Sequence, residues 1–318
     1  MHLAGQTLVC SLFSLRLSYS GKSVHRVFAT SGQEAFLDGH VHAFSVLGGV
    51  PTGKVRYDNL EAAVAKVIGF ARERKESARR LAFRECYGVD SFYCRPGLPG
   101  AHEKGGVEGD IGRFRRNHFV PFPTVGWPAE LNMLVERRNE EDEARRIPMR
   151  PRTVGEYFAV EQPLLAPLPT EPFDAGHVIE TRADQRSRIW ARTGCYSVPT
   201  RYIERRVRIM LHANELAVYD GPTEIARHER LVAKARERLE LDHYLETLLR
   251  KPGALPGATA LQQARQAGKF TPIHDAWWSA ARKARGDIPH EHLVAGLATA
   301  LRVGATPVVR ACRRLTSR

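Results

Sequence analysis

Six prolines stand between residues 147 and 175, at positions 148, 151, 163, 167, 169 and 172. Proline fixes φ and has no backbone donor, so neither a long helix nor a central strand runs through such a stretch. The composition predicts an extended linker or arm over 147–175. It separates a portion over 1–146 from portions over 176–228 and 229–318 that carry different patterns. At 318 residues the chain is long enough for two or three domains, and 43% hydrophobic against 26% charged content predicts packed cores, not disorder.

In the first portion, β-forming residues over 8–18 and 23–29 flank Tyr19-Ser20-Gly21-Lys22, which predicts an antiparallel hairpin. Ala35, Phe36, Val41, Ala43, Phe44 and Val46 then recur at helical spacing over 33–47, and Gly48-Gly49 ends that helix. A short strand over 54–57, helices over 60–75 and 77–87, a strand over 91–94 and a helix from near Gly105 follow. The order β-β-α-β-α-α-β-α describes a mixed α/β domain with an initial hairpin and later parallel strands, and it is one strand short. Residues 128–146 read as a charged helix on which Glu140, Glu141, Asp142 and Glu143 form a solvated face. Over 176–228, short runs of β-formers separated by Gly194, Pro199 and Asn214 predict a small β-barrel. Residues 229–318 read as mainly helical and hold 16 basic against 8 acidic residues.

The net charge of +13 and an isoelectric point near 9.8 favour a polyanionic partner, because lysine and arginine neutralise phosphates and release condensed counterions. Nucleic acid fits better than a membrane surface, which calls for a basic amphipathic helix with one strongly apolar face. No run approaches the ~20 apolar residues of a membrane helix. The segment 8–17 does not read as a signal peptide, since no basic stretch precedes it and Ser11, Ser14 and Arg16 interrupt it. Five cysteines, an odd number without a dense framework, point to a reducing cytoplasm, not to disulfides. Cys86 and Cys94 with His102 lack the short paired spacing of a structural zinc site.

Asp58 falls at the carboxyl end of its expected strand, where open α/β sheets present functional groups. Glu108 lies just inside a helix behind Gly105-Gly106. Phosphodiester transfer through two metal ions needs hard acidic oxygens that hold cations about 4 Å apart, and carboxylates suit magnesium. By spacing alone, the pair reads at least as well as a turn-forming Asp and a first-turn Glu stabilised by the helix dipole.

Longer runs narrow that choice. They are His42-Ala43-Phe44, Gly48-Gly49-Val50-Pro51, Arg56-Tyr57-Asp58-Asn59-Leu60, Ala82-Phe83-Arg84, Tyr87-Gly88, Cys94-Arg95-Pro96 and His102-Glu103-Lys104-Gly105-Gly106-Val107-Glu108-Gly109-Asp110. With Arg113-Phe114-Arg115-Arg116-Asn117-His118, Tyr196-Ser197-Val198-Pro199 and Arg250-Lys251-Pro252-Gly253-Ala254-Leu255, they resemble the IstA-type transposases of bacterial insertion sequences. That family belongs to the DDE transposase and retroviral integrase superfamily, and the resemblance covers nearly the whole chain. It implies an RNase H-like integrase catalytic core over 1–146, lacking its first strand, followed by the small β-barrel and the helical C-terminal segment. It further implies that Asp58 and Glu108 are the second and third acids of an Asp-Asp-Glu site holding two magnesium ions. Glu103, the competing acid in the same run, precedes the glycine turn. Lys104, Arg113, Arg115 and Arg116 are implied to contact DNA phosphates. The implied partners are transposon-end and target DNA, further copies of the chain, and a helper ATPase that selects target DNA.

One departure matters. The family's first Asp lies on the first core strand in a Val-Asp-Trp/Leu-Gly setting, behind a helix-turn-helix region, and this sequence has neither. Asp38, the one Asp before Asp58, falls in the middle of an expected helix. Active sites tolerate only ~0.5 Å of slack, so two acids should bind magnesium poorly. The expectation is an N-terminally truncated transposase whose family reaction is metal-dependent cleavage of transposon ends and strand transfer into target DNA, itself catalytically impaired. The alternative is a noncatalytic DNA-binding remnant or an inhibitor of intact transposase.

Overall fold

Gly21 holds φ at 75°, a left-handed value that glycine adopts at no cost, and the Leu17 N–H thereby reaches the Lys22 carbonyl at 2.8 Å. Two short strands, β1 (His2–Leu3) and β2 (Gln6–Thr7), precede this turn. Around it, β3 (Ser11–Arg16) and β4 (Ser23–Phe28) pair antiparallel, from Ser11 opposite Phe28 to Arg16 opposite Ser23. The computed structural model describes residues 2–3, 6–7, 9–57, 64–68, 73–93, 101–125, 128–231, 236–250 and 257–276. The chain divides into one unit of residues 1–177 with 212–214 and a second of 178–211 with 215–318.

In the first unit, helix α1 (Gln33–Leu47) lays Leu37, Ala43, Phe44 and Leu47 on Leu15, Leu17 and Val24 of the hairpin. Gly39 permits the closest approach: a Cβ there would stand 2.5 Å from the Phe13 ring. After Gly48 ends α1, β5 (Lys54–Tyr57) pairs in parallel with β8 (Asp90–Tyr93), Tyr57 opposite Tyr93. Between them, α2 (Ala78–Tyr87) is capped by the Ser77 side chain and adds Phe83 and Tyr87 to the same core. The helix expected over 60–75 is not seen: its described part is an antiparallel pair, β6 (Val64–Ile68) with β7 (Glu73–Glu76). Val64, Val67 and Ile68 are β-branched and stiff at χ1, and so short an apolar run reads equally as strand or helix.

Helices α3 (Ala101–His118) and α4 (Pro128–Glu141) complete the chain up to residue 141. Two asparagines of α4 cover the outer edge of β4. The Asn132 side chain accepts from the Val27 N–H at 2.8 Å and donates to the Val27 carbonyl at 2.9 Å, while Asn139 does the same to His25 at 3.2 and 3.0 Å. The region expected to be an extended linker is built into this unit. It contains α5 (Val154–Glu161), opened by a Thr153–Glu156 capping box, and buries Phe158 and Ala175 in the core. Val50 and Ala166 exchange backbone hydrogen bonds of 2.9 and 2.8 Å. Prolines thus punctuate this stretch without freeing it.

The second unit is built on β9 (His177–Arg182), β10 (Arg188–Ala191), β11 (Gly194–Ser197), β12 (Arg206–Leu211), β13 (Glu215–Asp220), β14 (Thr223–Glu229) and β15 (Glu237–Arg238). They form a four-stranded sheet in the order β14-β13-β12-β9 and a three-stranded sheet in the order β10-β11-β15, around Ile189, Tyr196, Ile209, Leu216 and Val218. The expected β-barrel is therefore corrected: among the described residues the strand ladder does not close. A barrel needs every strand paired on both sides, whereas β10 turns straight back into β11 and the parallel β15 occupies the other edge of β11. Helices α6 (Leu245–Arg250) and α7 (Thr259–Gln266) follow. Among the described residues, no helix is long and apolar enough to cross a membrane.

Candidate functional site

Two acids on α3 face opposite ways, since residues two apart on a helix stand about 200° apart around its axis. Asp110 points inward and is 5% exposed. Its Oδ2 lies 3.0 Å from His25 Nε2, and its Oδ1 accepts from Arg113 Nη2 at 2.8 Å. Burial alone raises the Asp110 carboxyl, but the hydrogen bonds from His25 and Arg113 hold it well below the usual carboxylate range. Arg113 also donates to both Asp142 oxygens at 2.8 and 3.1 Å, and Arg145 grips the same carboxylate at 2.9 and 3.0 Å. This ladder of charges fixes α3 to β4 and to the turn after α4.

The ladder changes the role of two sets of residues. Arg113, expected to meet DNA phosphates, is committed internally to Asp110 and Asp142. Asp142 does not belong to a solvated face, being 11% exposed between two arginines, while Glu143 stays partly exposed and pairs with Lys22. Glu140 remains exposed, and Glu141 pairs with Arg138 at the surface.

Glu108 is exposed on the outer side of α3, in no ion pair among the described residues. Arg115 and Arg116 are exposed in the last turn of the helix, where cations suit its dipole, and no carboxylate among the described residues pairs with either. Lys104 and Glu103 lie on the first half of α3, and their side chains are outside the described residues, as is Asp58. Tyr57, the residue before Asp58, ends β5 and is buried.

Beneath Tyr57 lies Arg80, which the sequence did not single out. It is fully buried, with its guanidinium 4.2 Å from the Tyr57 ring and 5.2 Å from those of Phe36 and Phe83. One hydrogen bond, Nη2 to Ser91 Oγ at 3.1 Å, ties it to β8, and cation–π contacts offset part of the desolvation. Nothing in a basic helix run marks one arginine as the buried one. Asp110 was more legible, because Arg113 follows it at i+3.

Asp38 lines a cleft of about 450 Å³ with Arg26, His42, Ser45 and Tyr87. Burial raises its carboxyl and the Arg26 charge opposes that rise. Among the described residues, no three His, Cys, Asp or Glu side chains are grouped so as to hold a metal. Glu108 has the hard oxygen chemistry magnesium takes, but Asp110 is engaged elsewhere, so the described residues do not complete such a site.

Residues 168–240, mostly the two-sheet region, match the family model described as Mu transposase, C-terminal domain. A transposase for insertion sequences IS1326/IS1353 from Pseudomonas aeruginosa is 31% identical over 260 residues, covering 80% of this chain and 50% of the relative. The same protein from Shigella flexneri matches equally, and a transposase of Aminobacter aminovorans is 30% identical over 246 residues, covering 76% and 47%. The chain belongs to the insertion-sequence transposases. It spans about half the length of the curated relatives it matches.

In this transposase-family chain, the Tyr196-Ser197-Val198-Pro199 run is a structural clasp. The Tyr196 hydroxyl accepts from the Leu231 N–H at 2.8 Å, and Ser197 Oγ accepts from the Glu240 N–H at 2.8 Å while lying 2.7 Å from His243 Nδ1. Val198 is fully buried. The run therefore holds β11 to the segment that follows β14.

Proposed function

We propose that this chain is the core and C-terminal part of an IstA-type transposase of the DDE superfamily, with an RNase H-like integrase core in the first unit. The observation that carries this reading is kinship to insertion-sequence transposases across most of the chain. Glu108, exposed on the outer side of α3, and Asp58, directly after a strand of the parallel pair β5–β8, are the acids expected to serve the reaction. The family reaction cuts transposon ends and joins them to target DNA by in-line displacement at phosphorus. Magnesium would supply Lewis-acid activation, with Asp58 and Glu108 as its protein ligands. The buried ladder around Asp110 keeps α3 in one orientation, so Glu108 faces outward, and Lys104, Arg115 and Arg116 neutralise DNA phosphates along the same helix. Further partners under this reading are other copies of the chain and a helper ATPase.

Under this reading Asp58 and Glu108 are the second and third family acids, and the 318-residue polypeptide is expected to bind DNA without joining it. A second reading, a noncatalytic DNA-binding protein that competes with intact transposase, draws on the net charge of +13 alone. Duplex binding across a salt series and a strand-transfer assay with magnesium test both. Salt-sensitive binding without joined product is expected. Robust joining that disappears in Asp58→Ala and Glu108→Ala would overturn the impairment, and binding indifferent to salt would overturn the DNA reading itself.

A further inference from the structure

Phe119-Val120-Pro121-Phe122-Pro123 is a run of five apolar residues between α3 and α4. Both ends of the loop are held. Phe119 meets the Phe114 ring edge-on at 5.6 Å and the Phe122 ring at 4.9 Å, and Val125 is buried with Phe114, Leu131 and Val135. Between these anchors the loop projects, with Val120 72% and Phe122 36% exposed and Pro121 exposed beside them. Two prolines restrict its backbone, so the projection is preformed. Single exposed apolar side chains need no explanation, but a consecutive exposed run is a liability unless a partner covers it.

The flanking charge identifies the partner. Arg115 and Arg116, both exposed and without a carboxylate partner among the described residues, stand one turn before the loop, and Asn117 is exposed next to them. A patch for another protein's apolar surface would not need two unpaired guanidiniums at its base. A patch for a polyanion that also has a stacked apolar interior would. Apolar side chains that enter a base step, with cations on the neighbouring phosphates, are how proteins kink a duplex.

We propose that the 120–122 tip is a DNA wedge: Val120 and Phe122 enter and unstack a base step while Arg115 and Arg116 hold the adjacent phosphates. The proposal rests on the DNA-transposase reading and adds where the duplex is deformed. Steps of the pyrimidine–purine type, which open most easily, are its preferred sites.

The test uses the 318-residue protein and a duplex with 2-aminopurine at the adenines of TA steps, reading anisotropy for binding and fluorescence for unstacking in one sample. Binding by the unaltered protein should raise the fluorescence. The double variant Val120→Ser with Phe122→Ser should lose that rise, with affinity falling roughly threefold to tenfold and the salt dependence kept. Val120→Ile should retain the rise. Arg115→Ala with Arg116→Ala should reduce the salt slope by about two. Salt-dependent binding with no rise, or a rise untouched by the double variant, would overturn the wedge alone. Loss of self-association in the double variant with its fluorescence rise intact would assign the loop to a second copy and also overturn it. Absence of salt-dependent binding would overturn the underlying DNA reading as well.

Discussion

His40 sits among Phe13, Phe36, Phe44, Tyr57 and Phe83, with ring centroids 4.6 to 6.0 Å away. Burial, reinforced by the Arg80 charge, pushes its pKa down to about 3. The unfolded chain, with an ordinary histidine near 6.5, then binds more protons, so stability is fully present above that value and is lost as pH falls below it. Between pH 7 and 5 the loss from this residue should be about 2 kcal/mol. Urea unfolding at the two pH values would show it, and His40→Leu should flatten the slope; an unchanged slope would exclude this origin. Asp110 behaves as a lowered carboxylate: its contribution is complete above about pH 4 and fades only in stronger acid. Asp110→Ala leaves His25 and Arg113 without their shared anion and should cost about 3–5 kcal/mol in thermal or urea unfolding. Asp58 and Glu108 were named from residue type and neighbours alone, whereas whether an arginine pairs inward, as Arg113 does, depends on a carboxylate 29 positions away.

At the scale of elements, the asparagine pair on α4 hydrogen-bonds the outer edge of β4 as a neighbouring strand would. Asn132→Ala should leave the buried Val27 N–H and carbonyl unpaired and cost roughly 2–3 kcal/mol, with faster hydrogen exchange at the Val27 amide. Unchanged exchange there would mean that the side chain does not shield the edge. The hairpin, α1 and α2 were readable because Gly21, Gly48 and Gly88 mark their ends through left-handed φ. The 60–75 segment was not, because its apolar residues fit both periods over so short a run. Within 147–175, the Thr153-to-Glu156 spacing was a readable cap, but six prolines outweighed it. In the second unit β9 to β13 were legible, while β14, β15 and the open ladder were not, since pairing of β11 with β15 joins residues about forty positions apart through a two-residue ladder.

At the scale of the molecule, a net charge of +13 predicts, under the proposed function, a steep salt dependence of duplex binding, falling linearly with log salt as phosphates are neutralised. Charge says nothing of chemistry, for which the proposed reading has Asp58 and Glu108 share one ion. Manganese paramagnetic resonance in the presence of duplex DNA, whose phosphate oxygens complete the ligand set, tests that sharing most directly. A common site predicts that Asp58→Asn and Glu108→Gln each abolish the DNA-dependent bound-manganese signal, and that the double variant loses no more than either alone. A signal that survives both substitutions, or that depends on one acid and ignores the other, would contradict it.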